Sequence, residues 1–69
     1  MKLSARNQLA GKVVSIEKGE VNGIVEIEIG GGNKIAATIS MDSIKDLGLE
    51  VGKDVYAVIK ATSVMVAVD

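Results

Sequence analysis

The stretch VNGIVEIEIGGGNKIAATISM, residues 21–41, determines the fold class of this chain. Its first half alternates between apolar residues and glutamates, and the apolar face carries Val21, Val25, Ile27 and Ile29. Gly30–Asn33 interrupts the pattern, and the second half then places on one face Ile35, Ala37, Ile39 and Met41. Strict alternation predicts half-buried strands, and a short glycine-rich break between them predicts a hairpin. We therefore expect two antiparallel strands here.

Further strands are expected on both sides of this hairpin. KVVSI, residues 12–16, precedes it, and DVYAVIKA, residues 54–61, and VMVAV, residues 64–68, follow it. These segments are rich in valine and isoleucine, which favour strands. We predict a single domain, residues 1–69, that is all-β and has five strands.

One short helix is predicted between the third and fourth strands, within SMDSIKDLGLEVG, residues 40–52. Ile44 and Leu47 have the spacing of one helix face. Ser40 or Asp42 suits the N-cap, and Gly48 suits the left-handed residue that ends a helix. The expected order of elements is β-β-β-α-β-β.

The composition excludes several functions. The chain has no cysteine and no histidine, so it lacks thiolate and imidazole metal ligands, a strong nucleophile and a base that titrates near neutrality. We therefore expect that the protein is not an enzyme. The net charge is -1 and the chain has no cluster of basic residues, so we expect only weak electrostatic attraction for nucleic acid. Because no apolar segment resembles a signal peptide or could cross a membrane, we expect a cytoplasmic protein with no membrane partner.

The last two predicted strands indicate self-association. Val55, Ala57 and Ile59 alternate with Tyr56 and Val58, and VMVAV is apolar throughout, so both strand faces are apolar. One small domain cannot cover both faces, and chains of this size rely on disulfides, metals or oligomerisation for stability. Without cysteine or histidine, oligomerisation remains, and we expect a homo-oligomer.

Two segments are rich in hydrogen-bond donors and contain no carboxylate: SARNQ, residues 4–8, and KATS, residues 60–63. Hydroxyl, guanidinium, amide and ammonium groups lie beside small alanines whose backbone N–H groups are accessible, and such a set suits an oxyanion. The alternative is that Arg6 and Lys60 are surface charges and that Thr62–Ser63 forms a hairpin turn. Ser40 is a third hydroxyl candidate, with helix capping as its alternative role.

Two other patterns do not support a site. Asp42 and Asp46 are one helical turn apart, but the chain has no calcium-binding loop, so we expect no metal bound by direct coordination. Gly30–Asn33 lacks the Lys-Ser/Thr of a phosphate loop and leads into a strand, so a hairpin is the better interpretation.

The segments SARNQLAGKV, TISMDSIKDLGLEVG and VYAVIKATSVMVAV resemble the molbindins, or Mop proteins, which are small cytoplasmic molybdate-binding proteins of the TOBE type. The resemblance spans essentially the whole chain. It implies a five-stranded OB-type barrel and a hexamer arranged as a trimer of dimers. It also implies molybdate or tungstate bound between subunits, for molybdenum storage, buffering or homeostasis, with no organic cofactor.

The resemblance also implies which residues bind the anion. The N-terminal motif corresponds to Ser4, Ala5, Arg6 and Asn7, the hydroxyl position to Ser40, and the C-terminal motif to Lys60 and Ala61. Some relatives have serine where this chain has Ala61, so a contact there would come from the backbone. The N-terminal segment is expected to lie against the Lys60 strand of a neighbouring subunit. A second type of site on the threefold axes has Lys18 and Gly19 as its candidates.

Two other functions remain open at this point. An OB-type barrel could bind nucleic acid, but such domains stack bases on aromatic side chains and this chain offers only Tyr56. The domain could instead serve purely for oligomerisation.

Overall fold

A computed structural model describes residues 1–69. It contains an antiparallel sheet of four strands in the order β3-β2-β1-β4 and one small helix. The elements in chain order are β1 (Asn7–Lys18), β2 (Asn22–Gly30), β3 (Asn33–Ser40), α1 (Met41–Asp46) and β4 (Asp54–Ile59), followed by a 3₁₀ turn at Ala61–Ser63. The all-β class with one helix after the third strand is confirmed.

The longest strand, β1, organises the sheet. Its first half, from Asn7 to Lys12, pairs with β4, and its second half, from Lys12 to Lys18, pairs with β2. A β-bulge between Val13 and Ser15 interrupts the second ladder. Since a bulge bends a strand and increases its twist, β1 can serve two neighbours in a strongly curved sheet.

The predicted hairpin is present between β2 and β3. Gly31 and Gly32 are the two turn residues, with φ values of 61° and 79°. Two consecutive positive φ angles define the type I′ turn that suits the twist of paired strands, and glycine adopts them without steric cost. Val21 was predicted on the inner face, and this prediction is wrong: Val21 lies outside β2 and is 74% exposed.

The predicted helix is also present, with the expected residues at its ends. Ser40 is the N-cap, and its Oγ accepts a hydrogen bond of 3.0 Å from the Ser43 backbone N–H. Gly48 has a φ of 61°. Lys53 closes the C-terminal end, because its Nζ donates to the carbonyl oxygens of Leu47 and Gly48 at 2.6 and 3.2 Å. Side chains thus cap both ends of the helix, which directly follows β3.

The core is small, because α1 covers only part of the curved sheet. The buried hydrophobic residues are Val13, Val25, Ile27, Ile44 and Ala57. Ile44 is the contribution of α1, and Gly23 on β2 lets the helix approach: a Cβ there would lie 2.6 Å from Ile44 Cδ1. So small a core leaves little stability margin to a single chain.

Gly11 makes a second close approach, where β1 passes from β4 to β2. A Cβ at this position would lie 2.5 Å from the carbonyl oxygen of Glu28, which is backbone and cannot move aside without disturbing β2. We expect Gly11→Ala to lower the free energy of unfolding by about 1–3 kcal/mol, as overpacking does. Urea unfolding would measure this, with the exposed neighbour substitution Ala10→Ser as control. Equal unfolding midpoints for the two variants would contradict the prediction.

The predicted fifth strand is absent from the isolated chain. Residues 64–69 have no secondary structure, and the sheet is not closed into a barrel. VMVAV has the composition of a strand, but a strand needs a partner, and no other segment of the chain pairs with it. Conversely, β1 begins at Asn7 rather than at the predicted Lys12, because pairing with β4 recruits residues without an alternating pattern.

Candidate functional site

The two donor-rich segments lie side by side at one end of the sheet. Asn7 pairs with Ile59 at the last position of the β1–β4 ladder. Position 6 directly precedes β1, and position 60 directly follows β4. Arg6 and Lys60 are therefore each the next residue beyond the last pair of this ladder. The contact of the N-terminal segment with the Lys60 strand of a neighbouring subunit stays a prediction. The backbone brings these two segments together without help from another copy.

This end of the sheet is cationic although the chain as a whole is not. Residues 1–16 and 55–68 contain Lys2, Arg6, Lys12 and Lys60 and no aspartate or glutamate. Lys12 forms a 3.0 Å ion pair with Asp54, but neither Arg6 nor Lys60 is part of an ion pair. The arrangement thus favours an anion at this position.

Exposure differs along the N-terminal segment. Ser4 and Arg6 are exposed, and Ala5 and Asn7 are half-buried. Gln8 Nε2 donates a hydrogen bond of 2.9 Å to the carbonyl oxygen of Ala5, which bends the segment just before β1. Sequence reasoning did not assign a role to Gln8. No local sequence pattern indicates this contact.

Ser40 lies elsewhere. It pairs with Asn22 at the opposite end of the sheet, next to Lys18, and so is separated from Asn7 by the full length of β1. Its hydroxyl is already engaged, because it accepts from the Ser43 N–H and lies 2.8 Å from Ser43 Oγ. Within one chain, therefore, Ser40 does not join the cationic end.

Lys18 and Gly19, the candidates for a second site, lie near Ser40. Both line a shallow pocket of about 250 Å³ together with Asn22 and Thr38. Glu17 also lines this pocket, so its charge is mixed, unlike the cationic end. The candidate residues therefore fall into two groups at opposite ends of β1.

A substitution separates the two roles considered for Ser40. As the N-cap, it should contribute about 1 kcal/mol to the free energy of unfolding, which Ser40→Ala would remove. If Ser40 also binds an anion, Ser40→Ala should weaken anion binding, whereas the neighbouring Ser43→Ala should not. Urea unfolding and calorimetry of both variants measure the two effects. Unchanged stability of Ser40→Ala would contradict the capping role.

The structure offers no cluster for metal coordination: nowhere do three or more histidine, cysteine, aspartate or glutamate residues come together. Its single α-helix has six residues, and no helix is long and apolar enough to span a membrane. What the molecule does offer is a set of N–H and O–H donors beside two unpaired cations.

These observations define a small all-β protein with an OB-like sheet, in which Arg6 and Lys60 lie near one end of the sheet without ion-pair partners. Residues 3–66 match the model of the TOBE domain. The chain belongs to the TOBE family. Its relatives confirm the resemblance to the Mop proteins.

One relative, the "Probable molybdenum-pterin-binding protein" of Haemophilus influenzae, is 67% identical over 69 residues, which cover all of both chains. Among solved structures, apo MopII from Clostridium pasteurianum is 51% identical with a TM-score of 0.90, and the match covers 97% of this chain and 100% of that one. ModG, described as a cytoplasmic molybdate-binding protein and solved with molybdate bound, is 48% identical with a TM-score of 0.83. That match covers 88% of this chain and 43% of ModG.

Proposed function

We propose that this protein binds molybdate or tungstate in the cytoplasm and serves in molybdenum storage, buffering or homeostasis rather than in catalysis. The observation that carries the proposal is the pairing of Asn7 with Ile59, which brings the donor-rich segments 4–8 and 60–63 to the same end of the sheet, both without carboxylates. The molybdate-binding ModG at 48% identity supports the choice of ligand and of compartment.

The residues of the cationic end can replace the hydration of a tetrahedral dianion. Arg6 supplies a planar fork of donors, and Lys60 supplies a compact charge. Ser4 contributes a hydroxyl and Asn7 an amide. Ala5 and Ala61 have no bulky side chain, so their backbone N–H groups can approach an oxygen of the ligand. Recognition through oxygens requires neither thiolate nor imidazole, and no organic cofactor takes part.

We infer that the anion site is complete only in the assembled protein. The site lies between subunits of a hexamer, a trimer of dimers in which each barrel has five strands. Ser40 reaches a cationic end only from a different subunit, because its own chain places it at the far end of β1. The pocket at Lys18 and Gly19 forms the second type of site where equivalent copies meet.

Competition calorimetry tests the function. We expect molybdate and tungstate to bind and to displace each other, whereas sulfate and phosphate bind much more weakly. Sulfate is smaller, so donors set for the larger tetrahedron cannot all reach it. Phosphate is partly protonated at neutral pH, and its O–H group would find no hydrogen-bond acceptor in a site that offers only donors. Equal affinity for all four anions would contradict a dedicated site, and no binding of molybdate would reject the function.

A further inference from the structure

The bent segment before β1 is fixed to the sheet by a single side chain. The backbone has bends at positions 4 and 6, before β1 begins. Gln8 Nε2 donates a hydrogen bond of 2.9 Å to the Ala5 carbonyl oxygen, and no other hydrogen bond or ion pair joins residues 1–6 to the rest of the chain. Gln8 itself lies in the β1–β4 ladder, where it is paired with Val58. The bond therefore connects a loosely held segment to a rigid part of the sheet.

This bond sets the direction of the peptide unit between Ala5 and Arg6. In a trans peptide the C=O and N–H groups point in opposite directions, and the chain has no cis peptide bond. Because the Ala5 carbonyl oxygen faces the Gln8 amide, the Arg6 backbone N–H faces the other way. This N–H donates to no group of the chain. A backbone donor that is held in one direction without a partner is available to a ligand.

The bond also removes an acceptor from the cationic end. A carbonyl oxygen carries partial negative charge, so a free one beside the anion would repel it. The Gln8 amide occupies the Ala5 oxygen with an N–H group and brings no charge of its own. Neither glutamate nor methionine, which have side chains of similar length, could donate this bond at neutral pH. The choice of an amide at position 8 thus suits a segment that presents donors.

We propose that Gln8 is a positioning residue of the anion site: it holds the Ala5–Arg6 peptide so that the Arg6 backbone N–H points at the anion, which Gln8 itself does not touch. The inference rests on the proposed function and deepens it, because it names a residue outside the donor set that controls affinity. A segment that is ordered before the ligand arrives loses less conformational entropy on binding. Gln8 therefore acts on the unbound protein.

Calorimetry of three proteins tests this role. Gln8→Met keeps the approximate length of the side chain and removes its N–H donors. We expect it to weaken molybdate binding about 3- to 10-fold in Kd, with a less favourable binding entropy, because the segment must then be ordered by the anion. The control, Ala10→Met, places the same side chain two residues further along the same face of β1. It should leave the Kd unchanged.

A merely structural role for Gln8 predicts a different result. If the bond only stabilises the start of β1, Gln8→Met would lower the midpoint of urea unfolding and leave the Kd of the folded protein unchanged. That outcome would overturn the proposal. A weaker Kd with an unchanged unfolding midpoint is the result expected of a positioning residue.

The Arg6 amide proton gives a direct readout by nuclear magnetic resonance. In the unmodified protein, its signal should move downfield when molybdate is added, as expected for a newly formed hydrogen bond. In Gln8→Met the shift should be smaller, and the amides of Ala5 and Arg6 should have lower order parameters before the anion is added. An Arg6 signal that does not respond to molybdate in the unmodified protein would overturn the proposal, even if the variant failed to fold.

The inference and the proposed function can fail separately. If the unmodified protein does not bind molybdate, the function is rejected and the role of Gln8 with it. If the unmodified protein and Gln8→Met bind molybdate with equal affinity, the function stands and only the role of Gln8 is rejected.

Discussion

Replacing either Arg6 or Lys60 with alanine is expected to weaken molybdate binding by about 2–4 kcal/mol, or roughly 30- to 700-fold in Kd. Each substitution removes a charged hydrogen bond and leaves the dianion less compensated. The double variant should lose less than the sum of the two, because a single site that is already disrupted has less left to lose. Calorimetry on the four proteins completes the cycle.

Two comparisons strengthen this test. Arg6→Lys keeps the charge but not the planar fork, so it should also weaken binding. Lys2→Ala removes a cation from the same acid-free segment but outside the proposed site, and it should leave the Kd nearly unchanged. Strictly additive losses for Arg6 and Lys60, with the assembly intact, would mean that the two residues serve separate sites.

A second large effect, on assembly, is expected from a substitution at Val66, which is not buried in the isolated chain. Val66 is 90% exposed, and substitutions of exposed residues usually change stability by less than about 0.5 kcal/mol. If the apolar segment 64–68 packs against another copy, as its two apolar faces indicate, Val66→Asp places a charge among apolar side chains and should cost several kcal/mol of assembly free energy. Light scattering should then show dissociation at concentrations where the unmodified protein is assembled.

Val51 provides the matched control for this substitution. It is also a valine, is 65% exposed, and precedes Gly52 in the turn before β4, outside the segment 64–68. Val51→Asp should therefore leave the assembly intact. Dissociation by both variants, or by neither, would contradict a specific role for the segment 64–68.

The sequence predicted the fold well where the signals are local. The glycines at 31 and 32 identify the type I′ turn, and Ser40 and Gly48 mark the ends of α1, because each depends on the backbone conformation of a few adjacent residues. The start of β1 at Asn7 depends instead on pairing with β4, some 50 residues further along the chain. The sequence of residues 7–11 does not indicate that these residues pair with β4.

The segment 64–68 shows the opposite case. Its composition predicts a strand, and nothing local contradicts this, but the neighbour that would complete the strand is absent from the single chain. The candidate site divides in the same way. Donor composition alone singled out the segments around Arg6 and Lys60, which the β1–β4 register then brought together. That Ser40 lies at the other end of β1 follows only from the topology of the sheet.

If anion binding and assembly depend on each other, native mass spectrometry with and without molybdate should detect the dependence. It reports the number of subunits and the number of bound anions in the same particle. We expect a hexamer that gains a fixed number of molybdate ions. Molybdate should also suppress its dissociation on dilution, because a ligand that binds only the assembled state stabilises that state. A monomer that binds molybdate with the same affinity as the assembled protein would show that binding does not depend on assembly.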